Sequence, residues 1–167
     1  MKIQSFQIID RGANYSMSNI LQVAAFLTAI FIIWPTLTVS GANTDFSKIE
    51  LYAVSVGVGK YRDPRLKQLE LSPKDAQDFN AFLQERKHLF SKTHIKLFLN
   101  EQATRENVTK AIRDDLRPAR KDDIVVVYIS GHGTTDPVRS DEYYFLTYDA
   151  DPENLFGSAL LMNSSGL

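Results

Sequence analysis

The chain has 167 residues, of which 44% are hydrophobic, enough for one modest folded domain. Its 19 basic and 20 acidic residues nearly cancel, and no dense basic run occurs. This argues against nucleic acid as a partner, because phosphate binding depends on clustered lysine and arginine. The absence of cysteine excludes disulfides and cysteine-based metal sites.

The first 42 residues are predicted to be an export leader. Residues 12–44 carry no charge, and residues 20–34 form a mostly apolar run that follows Lys2 and Arg11. Small residues around Ala42 complete the pattern of a secretory signal peptide, which predicts a periplasmic or secreted protein.

An uncleaved membrane anchor over residues 20–39 is the alternative to a cleaved leader. The apolar run is short for a membrane span, which needs about 20 residues, unless residues 36–39 are included. Contact with a membrane is expected only in this case. Residues 43–50 are mostly polar and are predicted to be a linker into the folded part.

Residues 51–58 are predicted to form an apolar strand that opens the fold. The glycines that follow, with Lys60, fit the spacing of neither a phosphate loop nor a dinucleotide fingerprint. The first helix is then predicted with Ser72 as its N-cap, Pro73 at its first position and Asp75 in its first turn. A first-turn acid is a purely structural explanation of Asp75, and it stays open beside a functional one.

A second strand is predicted over residues 94–99, followed by a helix that Thr104 caps and Pro118 ends. His88 and His94 lack companion ligands and are predicted to lie on the surface. Alternation of strands and helices is typical of a parallel α/β sheet with right-handed crossovers.

The chain is organised around the strand predicted at residues 124–130, whose near-continuous apolar run suits burial on both faces. Gly131, His132 and Gly133 follow its last residue, Ser130. A ring at the carboxyl end of a buried parallel strand lies where open α/β sheets place their chemistry. A turn histidine between glycines is the alternative.

The remaining residues are predicted to contain an exposed loop at 134–142, a short strand at 143–146 and an unstructured tail at 163–167. Asp149 and Asp151 lie in a turn between them. These two carboxylates could ligate calcium or simply be solvated.

Over residues 51–162 the chain resembles the caspase-like cysteine peptidases (peptidase C14), which include caspases and metacaspases. The resemblance rests on an ordered set of motifs: the opening strand, Lys-Asp-Ala at residues 74–76, Ser-Gly-His-Gly at residues 130–133 and Tyr-Asp-Ala-Asp-Pro at residues 148–152. It implies a three-layer α/β fold with a mostly parallel sheet, here incomplete at the carboxyl-terminal side. It also implies an endopeptidase that acts on proteins or peptides without a cofactor, unless the acidic turn binds calcium.

The resemblance also implies roles for four residues. His132 would be the catalytic base, and the N–H of Gly133 would stabilise the oxyanion. Asp75 would help to line the pocket for a basic residue before the cleaved bond, and Ser130 would border that pocket.

One departure from the family is decisive for activity. The family's nucleophile is a cysteine on the strand after the histidine, and these 167 residues contain none. The chain alone is therefore expected to be inactive. It is a truncated peptidase, a non-catalytic pseudo-peptidase that binds proteins, or one half of a split peptidase whose partner chain supplies the cysteine strand.

The missing strands also predict an unpaired sheet edge. Val125, Val127 and Ile129 would then be uncovered, which would make the chain marginally stable and prone to associate.

Overall fold

The computed structural model describes residues 2–8, 46–136 and 142–162. Its strands are β1 (Lys2–Ile8), β2 (Glu50–Gly57), β3 (Lys92–Leu99), β4 (Ile124–Thr135), β5 (Tyr143–Phe145) and β6 (Leu160–Leu161). Its α-helices are α1 (Leu71–Glu85), α2 (Arg105–Lys110) and α3 (Leu155–Ser158). A π-helical turn (Ala111–Asp115) continues α2, and short 3₁₀ turns lie at Phe46–Lys48, Lys87–Leu89 and Asn100–Gln102.

The centre of the sheet consists of three parallel strands in the order β3-β2-β4, as the alternation of strands and helices predicts. The outer pairings, β1 with β4, β4 with β5 and β5 with β6, are antiparallel. The predicted α/β fold is confirmed, with a parallel centre and antiparallel additions.

Helices cover both faces of this sheet, which gives the predicted three layers. On one face, α1 packs over a cluster of buried side chains that includes Leu51, Ala53 and Val126. On the other face, Val108 of α2 and Leu116, just after the π-turn, join a larger cluster with the central strands. Because β2 lies between the two layers, every residue from Leu51 to Gly57 is buried.

Gly57 allows α1 to lie close to β2. A Cβ atom at this position would be 2.7 Å from the carbonyl oxygen of Ser72 and 2.8 Å from the Cβ of Ala76. Both are closer than van der Waals contact allows, so a side chain here would force the helix away from the sheet.

The first helix begins earlier than predicted. It starts at Leu71 with Glu70 as its N-cap, and no side chain caps it. Ser72 is inside the helix, where its buried hydroxyl has no hydrogen-bond partner among the described residues. Asp75 lies beyond the first turn, so the structural explanation of this residue as a first-turn acid is wrong.

The strand β4 is longer than predicted, since it continues through Gly131, His132 and Gly133 to Thr135. Its pairing with β2 ends at Ser130, and β5 pairs with it from Gly133 onward. His132 is therefore part of a strand, and both the strand-end and turn interpretations of this residue are corrected.

The prediction of an unpaired edge at β4 is wrong. The backbone of β1 pairs with β4 from Val126 to His132. The side chains of Val125, Val127 and Ile129 are 1–2% exposed, because the core around α2 covers them.

Of the predicted leader, only residues 2–8 are described. Nowhere in the described ranges is there a helix of the length and apolar character needed to span a membrane. The apolar run at 20–34, the proposed cleavage region at Ala42 and the tail at 163–167 lie outside the described residues.

A polar cluster joins the beginnings of the three parallel strands. The carboxylate of Asp123, 1% exposed, accepts a hydrogen bond from the N–H of Glu50 at 3.0 Å and from that of Arg120 at 2.7 Å. The Arg120 guanidinium adds two more at 3.1 and 3.2 Å. His94 bonds to the Glu50 carboxylate at 2.9 Å and stacks on Tyr52 at 4.2 Å between ring centroids, so it is not the simple surface residue predicted.

Candidate active site

His132 is held from two sides by the loop at residues 58–70. Its backbone N–H donates to the hydroxyl of Tyr61 at 2.8 Å, and the two rings lie 5.3 Å apart. Its ring nitrogen Nε2 lies 2.7 Å from the carbonyl oxygen of Lys67. The ring is therefore anchored at one nitrogen and packed on one side.

The contact with Lys67 selects a tautomer of His132. A carbonyl oxygen can only accept a hydrogen bond, so Nε2 carries the proton in this contact. In a neutral ring the other nitrogen, Nδ1, is then an acceptor, and it is able to take a proton from a neighbouring acid.

Tyr61 fills a gap on one edge of β4. The pairing of β4 with β2 ends at Ser130 and that with β5 begins at Gly133, so the N–H of His132 would lack a strand partner on this edge. The Tyr61 hydroxyl accepts from it and donates to the carbonyl of Val58 at 3.3 Å. Burial raises the pKa of Tyr61 to about 12, which keeps the hydroxyl protonated for this second bond.

The loop that carries Tyr61 and Lys67 is itself fixed at its base. The side-chain oxygen of Asn100 accepts from the N–H groups of Gly59 and Lys60, each at 3.0 Å. Asn100 has a φ of 45°, a left-handed conformation that asparagine adopts more readily than most residues. The conformation of one residue at the end of β3 therefore helps to position the contacts of His132.

Gly133 directs its backbone N–H away from β5. The carbonyl of Ser130 accepts from the N–H of Val58 at 2.9 Å, and that of His132 accepts from the N–H of Leu146 at 2.9 Å. Both groups therefore face the edge where β2 and β5 lie. Successive residues of a strand direct their backbone N–H and C=O groups to opposite edges. The N–H of Gly133 therefore points to the other edge of β4, along which β1 runs.

Asp75 and Ser130 meet directly. The Ser130 hydroxyl, which is fully buried, donates to the Asp75 carboxylate at 3.4 Å, a long contact. Burial, and then the charge of Asp75, raise the pKa of Tyr128, while a hydrogen bond with Ser130 lowers it. Residues at alternate positions of a strand share a face, so Tyr128, Ser130 and His132 lie on the face that α1 covers.

The two turn aspartates are engaged with the protein. Asp149 accepts from the N–H of Arg105 at 2.8 Å and from the Thr147 hydroxyl at 2.9 Å, and Asp151 forms an ion pair with Arg65 at 3.3 Å. The described residues contain no group of three or more histidine and acidic side chains arranged to hold a metal ion.

The structure thus brings together all four residues singled out in the sequence, with Asp75 and Ser130 in contact and His132 and Gly133 adjacent on β4. A caspase domain family model (peptidase C14) matches residues 51–163, more than half of the chain. The chain belongs to the caspase domain family. Searches of curated proteins and of solved structures found no significant match.

Two contacts of the caspase domain's histidine could not be found by sequence reasoning. The carbonyl of Lys67 belongs to the backbone, which any residue type supplies, so no side-chain pattern marks it. Tyr61 is visible in the sequence, just after the opening strand, but its hydroxyl gains a role only because two strands leave a gap beside His132.

Replacing Tyr61 by Phe is expected to destabilise the domain by about 1–3 kcal/mol, because it leaves the half-buried N–H of His132 without its acceptor and removes the bond to the Val58 carbonyl. The ring contact with His132 would be kept. Urea denaturation measures this loss. Tyr143→Phe is the matched control, since the Tyr143 hydroxyl makes no hydrogen bond within the described residues, and this change is expected to cost less than about 0.5 kcal/mol. Equal effects of the two changes would contradict this role for Tyr61.

Proposed function

We propose that the chain supplies the histidine side of a caspase-type cysteine endopeptidase site. In this proposal His132 is the general base and acid, and the N–H of Gly133 donates to the oxyanion. The nucleophilic thiolate comes from residues outside these 167, because the 167 contain no cysteine. The observation that carries the proposal is the contact of Nε2 with the Lys67 carbonyl, which leaves Nδ1 as an acceptor.

The proposed reaction follows from these positions. The S–H proton of the cysteine passes to Nδ1 of His132, and the sulfur attacks the carbonyl carbon of the scissile peptide bond. Negative charge on the carbonyl oxygen is stabilised by the N–H of Gly133. Nδ1 then returns the proton to the leaving amine, and water hydrolyses the thioester with the same base. No cofactor takes part in these steps; we keep calcium binding by Asp149 and Asp151 as a secondary hypothesis.

We further propose that Asp75 recognises a basic residue before the cleaved bond, and that the buried Ser130 hydroxyl borders this pocket by holding the Asp75 carboxylate. A carboxylate attracts a cationic side chain, and Asp75 is half-buried on α1, which covers the face of β4 that also carries His132. In the active assembly, Asp75→Asn is expected to reduce cleavage after Arg or Lys by at least about tenfold, mainly through KM, since a charge-assisted contact is worth roughly 1.5–3 kcal/mol. Kinetics on Arg- and Lys-containing fluorogenic peptides measure it.

Asp78→Asn is the matched control for Asp75. It lies on the same helix, is exposed and pairs with Lys74 at 2.5 Å. This change should leave the kinetics unaltered. An equal loss from both variants, or none from Asp75→Asn, would remove Asp75 from the specificity pocket.

Supplying a cysteine strand tests the function itself. The full chain would be mixed with the segment of another caspase domain that bears its cysteine strand, and cleavage of basic peptides would be followed. We expect no activity from either part alone, and activity from the mixture that is lost when the cysteine is replaced by Ala. A folded complex with an intact cysteine and no cleavage would refute a peptidase role and leave a protein-binding module.

The same experiment separates the alternatives. A pseudo-peptidase would bind the peptide without cutting it, whereas half of a split peptidase would cut only with its partner chain.

We propose a protein or peptide substrate, not nucleic acid, and a periplasmic or secreted location, with anchoring through residues 20–39 as the alternative. Amino-terminal sequencing of the exported protein decides between cleavage near Ala42 and an intact leader.

A further inference from the structure

The outer edge of β4 is occupied by the chain's own amino terminus. The backbone of β1 pairs with β4 at seven consecutive positions, from Ile8 opposite Val126 to Lys2 opposite His132. The strand thus begins beside His132, one position from Gly133.

This edge is where a nucleophile carried on a neighbouring strand would have to arrive. A strand has two edges, and the other edge of β4 is already paired. There β2 pairs with β4 up to Ser130, and β5 pairs with it from Gly133 onward. Tyr61 closes the gap between them. The N–H of Gly133 faces the β1 edge. A strand that pairs beside His132 can therefore do so only in the place of β1, because each backbone N–H and C=O group of β4 forms one ladder bond.

We infer that β1 is an autoinhibitory strand that must leave β4 before a cysteine-bearing strand can pair there. That this strand inhibits catalysis rests on the proposed function. That β1 covers the edge of β4 rests on the backbone pairing alone. Residues 9–45 connect β1 to the rest of the domain, and they contain the predicted cleavage region near Ala42. A cut there would end the covalent attachment of β1, so that its pairing with β4 would no longer be intramolecular.

A single proline in β1 tests the inference. The odd-numbered residues of β4 direct their backbone N–H and C=O groups towards β1. Ser5 lies opposite Ile129 and therefore forms a hydrogen-bonded pair with it. Gln4 lies opposite Ser130 and directs its own N–H away from β4. Ser5→Pro removes a ladder donor, and Gln4→Pro, the matched control, removes an N–H that the ladder does not use. Both variants keep the rest of the chain intact.

Two readouts that need no catalysis decide the outcome. The first is hydrogen exchange at the backbone amides of Ile129 and Gly131, and the second is binding of a fluorescent peptide with the sequence of residues 2–8. In the full chain with Ser5→Pro we expect faster exchange at both amides and an apparent affinity for the peptide at least about tenfold higher than in the unmodified chain. Gln4→Pro should resemble the unmodified chain, and deletion of residues 2–8 should resemble Ser5→Pro.

Equal exchange and equal peptide binding in the unmodified chain, Ser5→Pro and the deletion would overturn the inference, because β1 would then not cover the edge. Equal effects of Ser5→Pro and Gln4→Pro, with no effect of the deletion, would also overturn it. Failure of the mixed assembly to cleave peptides refutes the proposed function and leaves these readouts unaffected.

Discussion

Replacing His132 by Ala in the assembly of this chain with a cysteine strand is expected to lower kcat/KM by about 10²–10⁴-fold, the usual contribution of a general base. Ala keeps the backbone N–H that donates to Tyr61 and removes only the ring. The loss should therefore fall on proton transfer and leave the fold intact. Steady-state kinetics on a basic fluorogenic peptide measure it.

A second measurement ties this loss to the thiol. If Nδ1 of His132 takes the cysteine proton, removing the ring reduces the thiolate fraction, and alkylation of the cysteine by iodoacetamide at neutral pH should slow as well. His88→Ala is the matched control, since His88 is exposed and its ring forms a hydrogen bond only with the carbonyl of Glu85, at 3.0 Å, among the described residues. Cleavage at the same rate without His132 would show that its contacts serve structure alone.

Much of the fold could be predicted because local patterns agree with the tertiary structure. The unbroken apolar run before His132 predicts a strand buried on both faces, and two helical layers cover it. Thr104 caps its helix as expected, with its hydroxyl accepting from the N–H of Asn107 at 3.2 Å. The family resemblance, carried by short motifs in a fixed order, is confirmed by the match over residues 51–163.

The errors arise where tertiary contacts override local signals. Ser72 has the residue type of an N-cap, but the helix begins two residues earlier than predicted and buries the Ser72 hydroxyl near the sheet. Glycines suggest that a strand ends at Ser130, yet the strand continues because β5 provides new partners. At Gly131 a side chain is excluded by Phe145, whose ring would lie 2.7 Å from a Cβ, so this glycine serves packing rather than a turn.

The largest expected loss of stability outside the candidate site comes from Asp123. Its carboxylate is 1% exposed and accepts hydrogen bonds from the Glu50 backbone and from both the backbone and the guanidinium of Arg120. Those to the Arg120 side chain lower the pKa of Asp123 most, to about 2, and burial opposes the shift. The cluster ties the start of β2 to the turn before β4, so weakening it affects the parallel core directly.

Asp123→Asn is expected to lower the free energy of unfolding by about 2 kcal/mol at pH 7, the equivalent of the pKa shift. A depressed carboxylate pKa stabilises the fold above the unfolded-state value of about 3.9 and loses this contribution as the pH falls towards 2. The difference between the unmodified chain and Asp123→Asn in urea denaturation should therefore be full at pH 6–7 and about half as large at pH 3. The exposed neighbour Asp122 provides the control, since Asp122→Asn should change stability by less than about 0.5 kcal/mol. A difference that stays constant from pH 7 to pH 3 would mean that packing, rather than the charge of Asp123, holds this cluster together.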